Sequence, residues 1–168
     1  YLTVVFTSDG SNNRAGWSAI VGRGVPHTPP SPMGSTDSCS SAAPFCSGTT
    51  TTFPASTDGT NSPGSGPSAE PGPSYGCLSS TPNPAWYYLQ IANSGNLILN
   101  ISGSAGNDVD FICWGPFTSS TAPCASGLTG GCGFGFPTNT TNSPCSGNIV
   151  DCSYSTSATE TCTINNAV

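Results

Sequence analysis

The sequence predicts an all-β protein: a disulfide-stapled antiparallel β-sandwich, jelly-roll-like, with long loops rich in Gly, Ser, Thr and Pro. Three observations predict this class. Gly, Pro, Ser and Thr make up half of the 168 residues, which leaves little room for regular helix. Apolar residues occur in short runs without the 3.6-residue period of a helix. Nine cysteines in a chain of this size are typical of proteins that fold in an oxidising compartment.

The strand predictions are runs of β-branched, aromatic and aliphatic residues bounded by turn residues. In the fourth run Leu97, Leu99 and Ile101 fall on one face, as in a half-buried strand. The turn 92–95 predicts that the third and fourth runs form a β-hairpin. The runs are residues 2–6, 16–21, 85–91, 96–102 and 109–114, with weaker candidates at 148–152 and 161–164.

Two segments poor in apolar residues are expected to be linker or loop. Residues 24–38 carry four prolines and separate the first strand pair from the first cysteine. Residues 48–73 consist largely of Thr, Ser, Gly and Pro, and such a segment buries too little surface to fold alone. We expect it to lie as a loop on the sandwich, because Cys46 and Cys77 on either side can tether it to the core.

The charge balance excludes two classes of partner. The net charge of −6 comes from eight carboxylates against Arg14 and Arg23, and the chain contains no lysine. A nucleic-acid-binding protein needs a dense basic surface that displaces counterions from phosphate groups. An anionic membrane surface is bound by the same kind of patch. No apolar run is long enough to span a membrane, so we expect no membrane insertion.

The cysteines are expected to form a disulfide framework of about four bonds, with one cysteine left over. Zinc is the competing interpretation, but no C-x-x-C pair occurs and His27 is the sole histidine, so we do not expect a zinc site. The pairing stays open, because even eight cysteines allow on the order of a hundred arrangements. The nine are Cys39, Cys46, Cys77, Cys113, Cys124, Cys132, Cys145, Cys152 and Cys162.

The start of the chain resembles the last two strands of a CUB domain. The resemblance rests on the apolar run 2–6, the turn Ser8-Asp9-Gly10-Ser11 and the segment Gly16-Trp17-Ser18-Ala19, where CUB domains have Gly-aromatic-x-Ala. It implies that residues 1–23 are the C-terminal strands of a CUB-like domain. It also implies that Asp9 is one ligand of a Ca²⁺ ion whose other acidic ligands lie upstream of the chain.

The remainder, residues 39–168, resembles a cysteine-rich PPC-like (pre-peptidase C-terminal) β-sandwich module of large secreted proteins of Bacteroidetes. The resemblance implies a sandwich without catalytic residues of its own. Members continue past the element at 164–167 into further strands, so we expect the module to be truncated at its C-terminal end. The matching segments are APFCSG (43–48), GPSYGCL (72–78), PNPAWYY (82–88), DVDFICWGPF (108–117) and CSYS (152–155).

A calcium site is the candidate metal centre. Asp108 and Asp110 alternate along a predicted strand, so both carboxylates are expected on one face, about 7 Å apart. Such oxygen-rich pairs bind Ca²⁺ when backbone carbonyls and a third acid contribute. The alternative interpretation is that the two carboxylates are solvated on an outward face or cap loop amides. Ca²⁺ at Asp108, Asp110 and the resemblance-derived Asp9 is the only cofactor that we expect.

Aromatic side chains are the candidate ligand contacts, because sugar-binding modules stack pyranose rings on exposed aromatic rings. Phe134 and Phe136 lie in a Gly-rich segment, where exposure is expected. Trp114 is a further candidate, although aromatic residues of a small sandwich more often fill its core. His27 lies in the Pro-rich linker, and no G-x-S-x-G or other nucleophile motif occurs, so we expect no enzymatic activity.

These features predict a non-catalytic, secreted or cell-surface module of a large adhesin-like bacterial protein, which binds surface glycans or other extracellular protein chains. Two other functions stay open. One is a structural repeat of an extracellular filament or stalk, in which neighbouring copies complete an open sheet edge by self-assembly. The other is an accessory domain of a secreted peptidase, because PPC-like domains often accompany such enzymes.

Overall fold

The structure is a computed structural model, and it describes residues 2–7, 17–21, 38–46, 50–53, 69–103, 106–132 and 145–167. These residues form nine strands and almost no helix beyond short 3-10 turns, which confirms the all-β prediction. The strands are β1 (Leu2–Thr7), β2 (Trp17–Val21), β3 (Ala43–Phe45), β4 (Thr50–Phe53), β5 (Ala85–Leu89), β6 (Gly95–Gly103), β7 (Asp110–Trp114), β8 (Ile149–Ser153) and β9 (Thr159–Ala167).

The strands form two sheets that pack face to face. One sheet has five strands in the order β3-β5-β1-β7-β8, and the other has four in the order β4-β2-β6-β9. Every pairing is antiparallel except that of β3 with β5, which is parallel. The core between the sheets combines Val4, Tyr87 and Phe111 of the first sheet with Leu99 and Ile101 of the second. The predicted β-sandwich is therefore present.

The five-stranded sheet is buried on both faces, whereas the other sheet buries only one face along β6 and β9. Every residue of β7 is buried, and β5 is buried at all positions except Tyr88, which is half-buried. Along β6, buried and exposed residues alternate. A strand that buries both faces needs a packing partner on each side. The second partner of this sheet is not another sheet.

A layer of loops, cross-linked by disulfides, covers the outer face of the five-stranded sheet. We call this layer, which comprises residues 38–42, 69–84, 115–132 and 145–148, the disulfide-linked cover. Its Cys39, Leu78 and Leu128 form a second core with the sheet residues Val5, Trp86, Ile112, Trp114 and Ile149. The disulfides are Cys39–Cys124, Cys77–Cys152 and Cys132–Cys145, and the Cys77–Cys152 bond joins the cover to β8.

Close approach of the cover to the sheet depends on a glycine. Gly76 has a φ of +57°, and a Cβ at this position would lie 2.8 Å from the Cδ1 atom of Ile112. Backbone hydrogen bonds then tie the parts of the cover to one another: Ser74 donates to Leu128 over 2.8 Å, and Asn148 donates to Thr129 over 2.9 Å. The cover is thus held by its own backbone as well as by its cross-links.

The predicted hairpin between the third and fourth runs is wrong. β5 lies in the five-stranded sheet between β3 and β1, whereas β6 lies in the other sheet between β2 and β9. The reason is burial, because β5 must bury both faces and β6 only one. The turn at 90–94 therefore carries the chain from one sheet to the other instead of reversing it within a sheet.

The predicted separation of residues 1–23 from residues 39–168 is also corrected. β1 lies between β5 and β7, and β2 lies between β4 and β6. Both strands are interior members of sheets whose other strands all come from residues 39–168, so they are not a separate tail. β4 is a further difference, because its Thr-Thr-Thr-Phe run lies in the tract expected to be a loop. The β-branched and aromatic composition of that run was the available signal.

Burial of the Trp114 ring leads to a first prediction. Trp114 is fully buried, so replacing it with Ala should lower the free energy of unfolding by about 3–5 kcal/mol, because a large cavity opens between sheet and cover. Urea unfolding followed by circular dichroism measures this loss. Ile98→Ala is the matched control: Ile98 is 52% exposed, and its truncation should change stability by less than about 0.5 kcal/mol. Equal effects of the two variants would contradict the two-core architecture.

Candidate functional site

Trp114 belongs to a buried aromatic cluster. Its ring stacks on that of Trp86 with centroids 5.7 Å apart and planes 5° apart. Tyr75 packs edge-on against both rings, and its hydroxyl donates a 2.8 Å hydrogen bond to the carbonyl of Glu70. Burial, and to a lesser extent the charge of Glu70, raises the pKa of Tyr75. Trp114 is therefore a core residue and cannot present its ring to a ligand, which corrects its place among the candidate contacts.

The other candidate contacts lie outside the described residues. Phe134 and Phe136 belong to the segment 133–144, and Asp9 lies between β1 and β2, so their predicted roles stay predictions. The structure does describe the two residues that flank the segment with the phenylalanines. Cys132 and Cys145 pair through an isolated antiparallel bridge and a disulfide, so this segment is closed at its base.

The two predicted calcium ligands lie at the start of β7. The strand begins at Asp110, which is 1% exposed, and Asp108 lies half-buried in the segment before it. Asp108 is thus not on the strand, and the two carboxyls do not share an alternating strand face. Asp110 is not the solvated, outward-facing carboxylate of the alternative interpretation either.

Glu160 is an acidic residue of the core that the sequence interpretation missed. It lies on β9 opposite Ile101 of β6 and is only 4% exposed. Burial raises the pKa of Glu160, and the charges of Asp108 and Asp151 raise it further, while the hydroxyls of Ser153 and Ser155 oppose the shift. The sequence of β9 did contain a signal for the burial of Glu160, because Glu160 alternates along the strand with the apolar Cys162 and Ile164 and so shares their face.

Asp151 links the open edges of the two sheets. Its carboxylate accepts a 2.7 Å hydrogen bond from the backbone N–H of Thr163 on β9 and a 2.9 Å bond from the N–H of Cys152. Burial raises the pKa of Asp151, and these two hydrogen bonds partly counter the shift. Asp151 on β8 therefore satisfies a backbone donor on the edge strand of the opposite sheet.

The charges of Asp108 and Asp151 thus act on Glu160 at one side of the sandwich, where β7, β8 and β9 meet. Within the part of the chain that the structure describes, no group of three or more His, Cys, Asp or Glu side chains is arranged to hold a metal ion. Burial instead raises the pKa of both Asp151 and Glu160. Binding of Ca²⁺ near Asp108 stays a prediction.

The outer face of β6 and β9 is neutral and rich in hydroxyl and amide groups. Register pairs Ile98 with Thr163, Asn100 with Thr161 and Ser102 with Thr159. These positions alternate with the buried ones on both strands, so their side chains lie on the face away from the core. We call this surface the threonine face; its members are Ile98, Asn100, Ser102, Thr159, Thr161 and Thr163.

The buried acids lead to a second prediction. Because the folded state holds protons on Glu160 and Asp151 above their ordinary pKa values of 4.5 and 3.8, it binds more protons than the unfolded state in that range. The free energy of unfolding should therefore fall as pH rises from about 4 towards neutrality. Glu160→Gln should flatten this slope, which denaturant unfolding at a series of pH values measures.

Asp151→Asn is the contrasting variant. An amide has one acceptor oxygen and cannot serve both the Thr163 and Cys152 N–H groups as the ionised carboxylate does, so this variant should lose about 1–3 kcal/mol of stability at neutral pH. For Glu160→Gln, a pH profile of the unfolding free energy that runs parallel to that of the wild type would show that Glu160 does not hold its proton in the folded state.

Comparisons with known proteins do not place the chain in a family. No family model, no curated protein and no solved structure matches it. The CUB-like and PPC-like resemblances therefore rest on the segments quoted above. In the described ranges no helix is long and apolar enough to cross a membrane. The three disulfides suggest an oxidising extracellular environment.

Proposed function

We propose that this chain is a non-catalytic extracellular module that mediates adhesion by binding hydroxyl-rich, uncharged ligands such as surface glycans. The observation that carries the proposal is the threonine face. A neutral ligand is bound by groups that donate and accept hydrogen bonds without charge, and threonine hydroxyls and asparagine amides do both. The net charge of −6 and the absence of lysine favour a neutral partner over an acidic one.

The geometry of the face supports the proposal. Thr159, Thr161 and Thr163 repeat at about 6.7 Å along β9, and their β6 neighbours lie about 4.8 Å away across the strands. A hydrogen bond of 3.4 Å from the Thr161 hydroxyl to the side-chain oxygen of Asn100 orients one cross-strand pair. Groups held on two paired strands lose little conformational freedom when a ligand binds, which favours affinity.

The exposed apolar residue on this face adds to its binding capacity. Ile98 is 52% exposed and lies opposite Thr163. Sugar rings present apolar C–H patches between their hydroxyls, so a single aliphatic side chain among polar groups complements them. Phe134 and Phe136 remain the predicted second contact, beyond the disulfide that closes their segment.

Glycan binding by the oxidised protein gives the third prediction. The wild type should bind at least one member of a panel of neutral polysaccharides saturably. The double variant Thr161→Val, Thr163→Val should bind at least about tenfold more weakly, because it keeps side-chain shape but removes two hydroxyls. Isothermal titration or surface plasmon resonance measures the change.

Thr156→Val is the matched control, because Thr156 is an exposed threonine in the turn between β8 and β9, outside the face. It should leave binding unchanged. Phe134→Ala tests the predicted loop contact, and runs with Ca²⁺ and with chelator test the predicted involvement of Asp108. If the wild type binds no member of the panel, the proposal of adhesion to glycans is overturned. A structural repeat would then be the better account if the protein forms ordered assemblies with itself.

A further inference from the structure

Two cysteines lie in the core of the sandwich, away from the disulfide-linked cover. Cys113 is on β7 of the five-stranded sheet, and Cys162 is on β9 of the four-stranded sheet. Both are completely buried and belong to the core between the two sheets. In the structure both are thiols, as is Cys46.

The two core cysteines meet across the sandwich. Cys113 is paired in register with Asp151 of β8, and the Asp151 carboxylate accepts a hydrogen bond from the N–H of Thr163, the residue next to Cys162, so the two cysteines lie close together in one buried cluster. β7 and β9 belong to different sheets, so this contact joins the layers rather than neighbouring strands of one sheet. Two packed sheets can come close enough at inward-facing positions for a disulfide, as the inter-sheet disulfide of antibody domains shows.

The surroundings favour an oxidised pair. Six other cysteines form three disulfides, two within the cover and one between the cover and β8, which indicates folding in an oxidising compartment. Two neighbouring thiols in a chain that forms three disulfides would be exposed to the same oxidants during folding. If Cys113 and Cys162 stayed reduced, they would differ from the six cysteines that form the three disulfides.

We propose that Cys113 and Cys162 form a fourth disulfide that crosses the sandwich and covalently joins its two sheets. The oxidant is a disulfide of a small molecule or of an oxidoreductase. One cysteine attacks it as a thiolate, forms a mixed disulfide and releases the first thiol of the oxidant; the second cysteine then attacks the mixed disulfide and displaces the second thiol. In sum, the two cysteines lose two protons and two electrons, and the oxidant leaves as two thiols.

The order of folding follows from burial. Desolvation in the core, together with Cys113 and the charge of Asp151, raises the pKa of Cys162 well above its ordinary value, so the reactive thiolate is scarce once the sheets have closed. An oxidant also cannot reach a completely buried sulfur. The bond therefore forms before the sheets close.

This pairing also identifies the cysteine left over. Cys46 lies half-buried directly after β3, the edge strand of its sheet, and forms no disulfide in the structure. With six cysteines bonded within the cover or between the cover and β8, and two bonded in the core, Cys46 is the single thiol that remains. The nine cysteines then resolve into four bonds and one thiol.

Thiol counting on the wild-type protein tests the proposal directly. The protein is secreted into an oxidising compartment, unfolded without reductant and alkylated with N-ethylmaleimide, and its intact mass is measured. One adduct is expected, on Cys46, and peptic digestion in acid, which suppresses exchange, should release a peptide pair linked through Cys113 and Cys162. Three adducts, or a linkage of either core cysteine to Cys46, would overturn the proposal.

Cys46→Ala is the matched control and should give no adduct while keeping the melting temperature. Stability gives a second readout. If the bond exists, Cys113→Ala, Cys162→Ala and the double variant should each lower the melting temperature by a similar amount, about 10 °C, since any one change removes the cross-link. Additive effects of the two single changes would indicate packed thiols without a bond and would overturn the proposal.

Discussion

The fold depends on a five-stranded sheet that has to bury both of its faces. Alternate residues of β5 and β7 point to opposite sides, and both sets are apolar: Tyr87 and Phe111 on one side, Trp86 and Trp114 on the other. The four-stranded sheet covers only one of these sides. The rest of the chain therefore has to build a second layer, and the composition of that layer decides how it is held.

The second layer consists of segments that cannot fold by their own burial. They are rich in Gly, Pro, Ser and Thr and contribute only a few apolar side chains, such as Leu78 and Leu128, to the core they cover. Covalent links make up the difference. On the chain-entropy model, closing 75- or 85-residue loops contributes about 4–5 kcal/mol per disulfide, and the 13-residue loop contributes about 3 kcal/mol.

β9 carries residues that matter for the core on its inner face and for the proposed binding surface on its outer face. Its inward residues Glu160 and Cys162 meet the acids and the second core cysteine of the opposite sheet, whereas its outward threonines form part of the proposed binding face. β9 is also an edge strand. Asp151 accepts a hydrogen bond from its Thr163 N–H, and a carboxylate at that place discourages pairing with a foreign strand.

The sequence by itself determined the secondary structure class and most strands. Apolar runs with turn residues at their ends located β1, β2, β5, β6, β7, β8 and part of β9, and cysteine content indicated disulfides. These signals are local, because alternation and turn chemistry act over a few residues. The burial of Glu160 could have been predicted in the same way, because Glu160 falls on the same strand face as Cys162 and Ile164.

Only the tertiary structure decided which strands share a sheet and which cysteines meet. The turn after β5 is compatible with either a hairpin or a crossing, and the demand for two buried faces on β5 selects the crossing. Trp114 is core rather than surface for the same reason, since the cover lies over it. Contacts such as Cys77 with Cys152, or Asp151 with Thr163, join residues of different elements, and no local pattern encodes such a meeting because it depends on how whole layers pack.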